Sequence, residues 1–402
     1  MRGVETDTKS YFDGTHRVVD PAATLRRVRC HAAAAGITRL GMITGLDRVG
    51  IPVAVACRPN SRSLATFQGK GTTPDAARAS AFMEALEVFH AETMTLPIVT
   101  ASWNALRDTR RVVDPHRLPL CRDSLFAQDR PIPWVSGRDL RDGAETWVPH
   151  ELVTACFTHP QPPGSHCFAA STNGLASGNT ELEAITHALY ETIERDAIAV
   201  WLADGPTRDA ARALAIEAAI SPCARDLIAR CETAGLRIAL WNVTSDIAVP
   251  VVVCVLQGAD ERIVDMGSGC HADREIALLR AITEAAQARL TRIAGSRDDL
   301  DDATYPADPG HGNASQALFE TTARGDIAAL PHFAGTTLRQ DLDATCAALA
   351  RIGIEQIIHV DLSRPEIAVP VARVIVPGLE GPAHAAGLGY VPGARAQARR
   401  RR

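Results

Sequence analysis

The feature that most constrains the fold is a pattern that occurs three times along the chain. Each copy starts at a glycine, continues through a short β-branched run, passes an aspartate and reaches a second apolar run with a proline near its start. The copies span residues 36–57, 235–254 and 353–375. Pairs of such runs separated by turn residues are typical of β-hairpins or of sequential strands. The sequence therefore predicts an internal duplication within an α/β (α+β) fold.

The first two copies continue into a predicted glycine-rich turn and then a long, alanine-rich helix. The turns are predicted at 69–71 and 267–269, and the helices at about 74–93 and 273–293. Between them, a third strand and turn at 171–179 precede a helix at about 180–201. The chain is thus expected to repeat a strand–strand–turn–helix unit.

The domain organisation follows from this repeat and from composition. Because the period is far longer than that of a solenoid, we predict one catalytic domain over residues 1–380. Segments rich in proline, aspartate or glycine predict loops or insertions at about 111–163 and 296–312. Residues 381–402 form a tail rich in Gly, Ala and Arg, for which we predict flexibility.

Composition excludes several classes of protein. The chain has 402 residues and a net charge of −5. Its apolar runs are far shorter than the roughly 20 residues of a membrane-spanning helix, and residues 1–9 lack the apolar core of a signal peptide. Ten cysteines are scattered without a CxxC pair, and the only dense basic run is 399–402. We expect a cytoplasmic protein with reduced thiols that binds neither nucleic acid nor membrane.

Polar residues interrupt each of the three apolar helices along one narrow face. The first helix carries Ser80, Glu84 and Glu87, the last carries Arg280, Glu284 and Gln287, and the middle one carries Glu183, His187, Glu191 and Glu194, followed by Arg195. A solvent-exposed surface would account for any one of these faces. Three together are less ordinary, because carboxylates three or four residues apart repel one another on a helix. A positively charged ligand would offset this repulsion.

Mg²⁺ is the natural candidate for that ligand. It takes oxygen ligands, usually one or two carboxylates per ion together with phosphate oxygens and water. Arginines on the same helices, and Lys70, could then bind the phosphate oxygens of a nucleotide. The chain has no Walker A, GxGxxG or kinase signature where one would be needed. The pattern thus indicates a metal–triphosphate site outside the standard nucleotide-binding folds.

Three long segments occur in a fixed order along the chain. They are Gly69–Gly71 with Ala79–Glu87, Ser171–Asn179 through Glu191–Ala197, and Arg280–Gln287. In these segments the chain resembles the YcaO family of ATP-dependent peptide-backbone-modifying enzymes, over roughly residues 9–380. The resemblance implies a single YcaO-like domain whose helices converge on a site for ATP and Mg²⁺.

The resemblance also implies roles for individual residues. It implies that five glutamates bind the metal ions: Glu84, Glu87, Glu191, Glu194 and Glu284. It implies that a second set binds the nucleotide: Lys9, Ser80, Asn179, Glu183, Arg195, Arg280 and Gln287. Of these, Arg195 and Arg280 are also implied to act in catalysis. In such enzymes a nucleophile adds to a backbone amide carbon, and ATP phosphorylates the resulting oxyanion.

The N-terminal segments narrow the resemblance to one branch. Residues 9–17, 36–39, 44–47 and 58–61 are similar to the TfuA-associated branch, which is linked to thioamide formation from an external sulfur donor. Azoline-forming relatives typically end in a PxPxP tail, whereas this chain continues from 391–395 into a basic run. We therefore predict a thioamide synthetase acting on a peptide or protein backbone.

Two alternatives remain open at the level of sequence. One is a cyclodehydratase that forms azolines from Cys, Ser or Thr of a ribosomal peptide, and the other is a non-catalytic nucleotide-binding accessory protein. No fused leader-binding domain is recognisable, so a separate partner is expected, in this branch a TfuA-type protein that delivers sulfur. A homodimer is a family-based expectation. Cys270 invites a role in sulfur relay, although a packed thiol is the simpler interpretation.

Overall fold

The computed structural model describes residues 7–207, 209–216, 221–258, 263–297, 299, 313–383 and 389–401. The helices of this part of the chain are α1 (Pro21–Val28), α2 (Pro74–Glu92), α3 (Trp103–Arg107), α4 (Glu181–Asp204), α5 (Pro222–Thr233), α6 (Arg274–Ala294), α7 (Asn313–Glu320), α8 (Leu338–Arg351) and α9 (Ala394–Arg400). The strands are β1 (Ser10–Phe12), β2 (Thr15–Arg17), β3 (Arg39–Met42), β4 (Val53–Cys57), β5 (Thr66–Lys70), β6 (Val99–Ala101), β7 (Ile132–Asp139), β8 (Glu145–Pro149), β9 (Leu175–Ser177), β10 (Ala213–Leu214), β11 (Leu236–Asn242), β12 (Val251–Gly258), β13 (Asp265–Cys270), β14 (Ile358–Asp361) and β15 (Val371–Ile375).

The chain divides into two compact units. Unit I comprises Thr8–Ala85 and Gly205–Thr337, and unit II comprises Met1–Asp7, Leu86–Asp204 and Leu338–Arg402. Unit I contains a three-stranded sheet in the order β3-β4-β5 and a four-stranded sheet in the order β10-β11-β12-β13. Unit II contains a six-stranded sheet in the order β6-β7-β14-β15-β9, with β8 also paired to β7. Neighbouring strands in these sheets are antiparallel.

The core of unit I shows why these segments fold as they do. Strand β12 lies between β11 and β13, and all of its residues are buried, as its nearly continuous apolar sequence predicts. Helix α6 packs on β12 and β13. It begins after Asp273, whose side chain accepts the N–H of Glu275 at 2.9 Å, and it ends at Gly295 in the left-handed conformation (φ 56°). Local capping and burial of the apolar face therefore both fix the bounds of α6.

The three predicted strand pairs are confirmed as antiparallel hairpins, namely β3–β4, β11–β12 and β14–β15. Each hairpin gains a third strand that leads into a long helix. In the first two repeats these elements, β5 with α2 and β13 with α6, follow the hairpin in the chain. In the third repeat, β9 and α4 precede the hairpin whose strand β15 pairs with β9. The third repeat is therefore circularly permuted relative to the other two.

The same backbone hydrogen bond occurs in all three repeats and fixes their equivalence. It joins the carbonyl of the hairpin proline to the N–H of the first residue after the third strand: Pro52 to Gly71 (3.3 Å), Pro250 to His271 (3.2 Å) and Pro370 to Gly178 (3.0 Å). Positions counted from Gly71, His271 and Gly178 can accordingly be compared between the three helices.

The prediction of glycine-rich turns at 69–71 and 267–269 is wrong, because most of these residues lie in strands β5 and β13. The glycines let a helix approach the strand closely. A Cβ on Gly69 would lie 2.0 Å from the nitrogen of Ala81, and a Cβ on Gly269 would lie 2.1 Å from the carbonyl oxygen of Ala277. The fold needs these glycines because they have no side chain, and not because they adopt a left-handed backbone conformation.

The structure of other segments also differs from what their composition predicts. Residues 111–163, predicted as a loop or insertion, contribute β7 and β8 to the sheet of unit II. The predicted insertion at 296–312 lies outside the described residues, apart from 296, 297 and 299. The tail contains α9, which packs on α4. There Arg395 binds the buried carboxylate of Asp196 through Nε (2.8 Å) and Nη2 (3.0 Å).

All ten cysteines are free, and Cys270 is buried at the end of β13. None of the described helices combines the length and the apolar character that crossing a bilayer would require.

Candidate functional site

The polar residues predicted on three helices occupy equivalent positions in the three repeats. The same count from Gly71, Gly178 and His271 leads to a glutamate on each helix: Glu84, Glu191 and Glu284. About one turn earlier lie Ser80, His187 and Arg280, and about one turn later lie Glu87, Glu194 and Gln287. The predicted common register of the three helices is therefore confirmed.

Two of the equivalent glutamates lie in unit I and differ in their surroundings. Glu84 Oε2 accepts the N–H of Gln68 at 3.1 Å. Burial raises the pKa of Glu84 to about 7, although the charges of Arg297 and Lys70 oppose this rise. Glu284 forms an ion pair with Lys70 Nζ, and its Oε1 accepts a hydrogen bond from the Ser268 hydroxyl at 3.3 Å. The two carboxyls thus differ in their hydrogen-bond and ion-pair partners.

A cluster of basic side chains surrounds His271 in unit I. Burial, together with the positive charges of His16, Lys9, Arg280 and Arg17, holds the pKa of His271 well below its usual range. The rings of His16 and His271 lie 5.5 Å apart, centroid to centroid. The Nε of Arg280 is buried, and the described residues offer it no hydrogen-bond acceptor. Crowded positive charge with an unsatisfied donor fits an anionic ligand such as a phosphate group.

Unit II positions several of the remaining predicted site residues. Glu87 Oε1 accepts hydrogen bonds from the N–H (2.9 Å) and the hydroxyl (2.7 Å) of Ser177, which ends β9. Glu183 Oε1 accepts from the N–H (3.2 Å) and the side-chain amide (3.0 Å) of Asn179. Each of these carboxylates is oriented by the segment that leads into α4.

Glu194, near the middle of α4, is also held in place. Glu194 is 4% exposed and lies 3.1 Å from Nη1 of its neighbour Arg195.

Gln287, on α6 in unit I, donates through Nε2 to the carbonyl of Gln68 at 3.4 Å. Ser80 is half-buried on α2.

The five predicted metal ligands divide between the two units. Glu84 and Glu284 belong to unit I, and Glu87, Glu191 and Glu194 belong to unit II. Within the described ranges, no group of three or more His, Cys, Asp or Glu side chains is arranged to hold a metal ion by itself.

Sequence reasoning missed several residues of these clusters. His16 and His271 are isolated histidines in the sequence, and Gln68 and Ser177 belong to short strands. Only the equivalence of His271 with Gly71 in the repeats could have drawn attention to one of them, because a histidine there replaces a glycine.

Comparison with known proteins connects this site to a family. The sequence profile of the family described as YcaO cyclodehydratase, ATP- and Mg²⁺-binding, matches residues 68–380. A Rhizobium leguminosarum bv. trifolii protein named "Uncharacterized protein in tfuA 3′ region" is 39% identical over 378 residues, which cover 90% of this chain and 88% of that protein. An uncharacterized protein of Methanothermobacter thermautotrophicus is 34% identical over 380 residues, which cover 90% of this chain and 95% of that one.

Solved structures share the fold. The structure of YcaO from Methanopyrus kandleri, bound with AMPPCP and Mg²⁺, matches with a TM-score of 0.73 at 26% identity and covers 93% of this chain and 95% of that one. A heterocyclase in complex with substrate and cofactor matches with a TM-score of 0.79 at 22% identity, covering 94% of this chain and 54% of that chain.

These matches define an ATP-dependent enzyme that binds ATP and Mg²⁺. The chain belongs to the YcaO family. Its α/β fold is that of a single YcaO-like domain, as predicted.

Proposed function

We propose that the protein activates a backbone amide of a peptide or protein by O-phosphorylation, and that the activated amide becomes a thioamide with sulfur delivered through a TfuA-type partner. The family match supports the use of ATP and Mg²⁺. The name of the 39% identical relative supports the sulfur-transferring branch. The phosphate-binding part of this proposal rests on one observation, the unsatisfied Nε of Arg280 within the basic cluster of unit I.

The residues of each unit have distinct proposed roles. In unit I, Lys9 and Arg280 bind phosphate oxygens, Ser80 and Gln287 contact the nucleotide, and Glu84 and Glu284 are Mg²⁺ ligands. In unit II, Asn179 and Glu183 contact the nucleotide, Arg195 neutralises charge on the transferred group, and Glu87, Glu191 and Glu194 are Mg²⁺ ligands. Glu84 must lose its proton to become a ligand, which couples metal binding to pH.

The chemistry explains why such a site contains cations and metal ligands and does not need a nucleophilic triad. An amide oxygen is a poor leaving group, and ATP, when bound, supplies the phosphoryl group that makes it a good one. Phosphoryl transfer depends on positioning and on neutralising charge on the equatorial oxygens. Arginine provides planar, permanently charged donors for these oxygens. The carboxylates orient the cations that also neutralise this charge.

The direct test is an incubation of the protein with a TfuA-type partner, a candidate peptide, ATP, Mg²⁺ and sulfide, followed by mass spectrometry. Thioamide formation makes the product heavier by the difference between a sulfur and an oxygen atom. Ring closure makes it lighter by one water and does not need sulfide. A product of unchanged mass with every candidate peptide, despite ATP consumption, would contradict both reactions.

The metal assignment predicts that Glu84→Gln and Glu284→Gln each lower ATP-dependent product formation about 100-fold or more, because each removes an anionic ligand from a cation near the transferred phosphoryl group. The matched control is Glu232→Gln on the exposed side of α5, which should keep wild-type rates. Wild-type activity in either variant of the site would refute its role as a ligand.

A second candidate reaction is azoline formation, in which a Cys, Ser or Thr side chain of the peptide is the nucleophile. The description of the matched family, which names a cyclodehydratase, favours it. The same incubation separates the two reactions, since only one depends on sulfide and on the TfuA-type partner. A homodimer stays a prediction, which sedimentation of the purified protein would check.

A further inference from the structure

A small cavity in unit II contains an unusual combination of polar and apolar groups. Its volume is about 40 Å³, and its wall includes Arg373, Asn173, Leu118, Leu152 and Glu380. At roughly 15 Å³ for each water molecule, this is room for about three of them, or for one small group such as an amide. Thr192, the residue after Glu191 on α4, also lines it.

Arg373 is the residue that makes this cavity a candidate site. It lies on β15 and is 2% exposed. Its Nη2 donates to the carbonyl of Ser171 at 2.6 Å, but Nε and Nη1 are buried, and the described part of the chain provides no acceptor for them. Burial lowers the pKa of Arg373 to about 10, and the charge of Glu191 opposes this, so the guanidinium is cationic at neutral pH. Buried, unsatisfied donors of a charged group are costly to keep.

The second unsatisfied group in the wall is an acceptor. Asn173 Oδ1 is buried and receives no hydrogen bond from the described residues. The carboxylate of Glu380 adds further negative character, which disfavours an anion in the cavity. A ligand with one acceptor for Arg373 and one donor for Asn173 satisfies both groups, and a peptide unit, with its C=O and N–H, has this composition.

We propose that this cavity binds a peptide unit of the substrate backbone, with its carbonyl oxygen on the guanidinium of Arg373 and its N–H on the side-chain oxygen of Asn173. Leu118 and Leu152 then face a short aliphatic side chain of the bound peptide. The proposal rests on the proposed function, in that the substrate is a peptide or protein. It adds a binding subsite beside the helix segment that carries Glu191.

The proposal gives Arg373 a signature that a structural arginine lacks. Arg373→Met removes a buried charge with unsatisfied donors, so its free energy of unfolding should equal or exceed that of the wild type. Its KM for the peptide should rise about tenfold or more, because a hydrogen bond to a charged group is lost, while the Kd for ATP stays within about twofold. The matched control is Arg364→Met in the same unit, where the guanidinium is engaged by Thr93 and Glu366. This control should lose stability and keep the wild-type KM.

A binding measurement on the wild-type protein tests the site without catalysis. The Nε–H resonance of Arg373, identified by its loss in Arg373→Lys, is followed by NMR in arginine-labelled protein. We expect a saturable shift with N-acetylglycine N-methylamide, an uncharged probe with two peptide units, and none with sodium acetate or sodium phosphate. A shift with the anions alone would make the cavity an anion site, and no shift with any probe would make it a water-filled cavity; either result overturns the proposal.

This titration needs no ATP, sulfide or partner. A positive result therefore stands even where the thioamidation assay fails, and a negative result with active enzyme refutes the subsite alone.

Discussion

The first and second repeats of unit I share a backbone arrangement and differ in charge. In both, a hairpin, a third strand with a helix-facing glycine, and a long helix bring a glutamate to the same position. In the second repeat, Glu284 is paired with Lys70, a residue of β5 in the first repeat. The position equivalent to Lys70 in the second repeat holds the buried thiol of Cys270. Lys70 thus pairs directly with one of two equivalent carboxylates, and the duplicated backbone carries two glutamates with different partners.

The largest expected effect tests the shared backbone. Gly69→Ala and Gly269→Ala each place a methyl group about 2 Å from backbone atoms of the facing helix. Each should lower the free energy of unfolding by about 4 kcal/mol, because backbone cannot move aside as a side chain could. Gly45→Ala is the control, since a Cβ there meets no atom within 4 Å. Chemical denaturation measures all three, and a small loss at one site only would mean that the repeats are not packed equivalently.

The next effect tests the raised pKa of Glu84. Because the folded pKa of Glu84, about 7, lies above the unfolded value of 4.5, the wild-type protein loses stability as the pH rises from 4.5 to 7. Without metal, Glu84→Gln should therefore be more stable than the wild type above pH 7, by about 3 kcal/mol. This gain should shrink as the pH falls towards 4.5.

Denaturation by urea between pH 5 and pH 8, in the presence of a chelator, measures this dependence. Glu284→Gln is the matched variant, and it should lose stability at neutral pH because Lys70 is left without its carboxylate. A gain in both variants would show that the two repeats do not differ in the way described.

The smallest expected effect concerns the lysine itself. Lys70→Met breaks a pair whose side chains are only 17% and 23% exposed, and it should cost about 1 to 2 kcal/mol. The control is Arg78→Met, which breaks the exposed pair with Asp75 on α2 and should cost less than about 0.5 kcal/mol. Equal losses in thermal denaturation of the two variants would place Lys70 among ordinary surface residues.

Much of the fold follows from local sequence patterns. The β-branched runs predict all three hairpins, and the apolar, alanine-rich segments predict α2, α4 and α6 nearly to their ends. The register of Glu84, Glu191 and Glu284 is readable because helical spacing alone places polar residues on one face. These features depend on interactions over a few residues.

What could not be predicted depends on contacts between distant residues. Gly69 and Gly269 look like turn residues, because a glycine that avoids a collision cannot be told by sequence from one that needs a left-handed backbone. Likewise, the clustering of His16 with His271, and of Arg373 with Asn173, arises only once distant segments of the chain are brought together. The pairing of β15 with β9 is of the same kind, and it joined a hairpin and a helix that had looked unrelated.

That permuted repeat has a consequence for the nascent chain. Helix α4 and strand β9 leave the ribosome well before their partner strand, since Ser177 pairs with Val371. At about 5 to 20 residues per second, the delay is on the order of 10 to 40 s, during which the apolar side of α4 lacks its sheet. The first two repeats need no such wait, because their third strands and helices follow their hairpins directly in the chain, so α4 is the long helix most in need of a chaperone during translation.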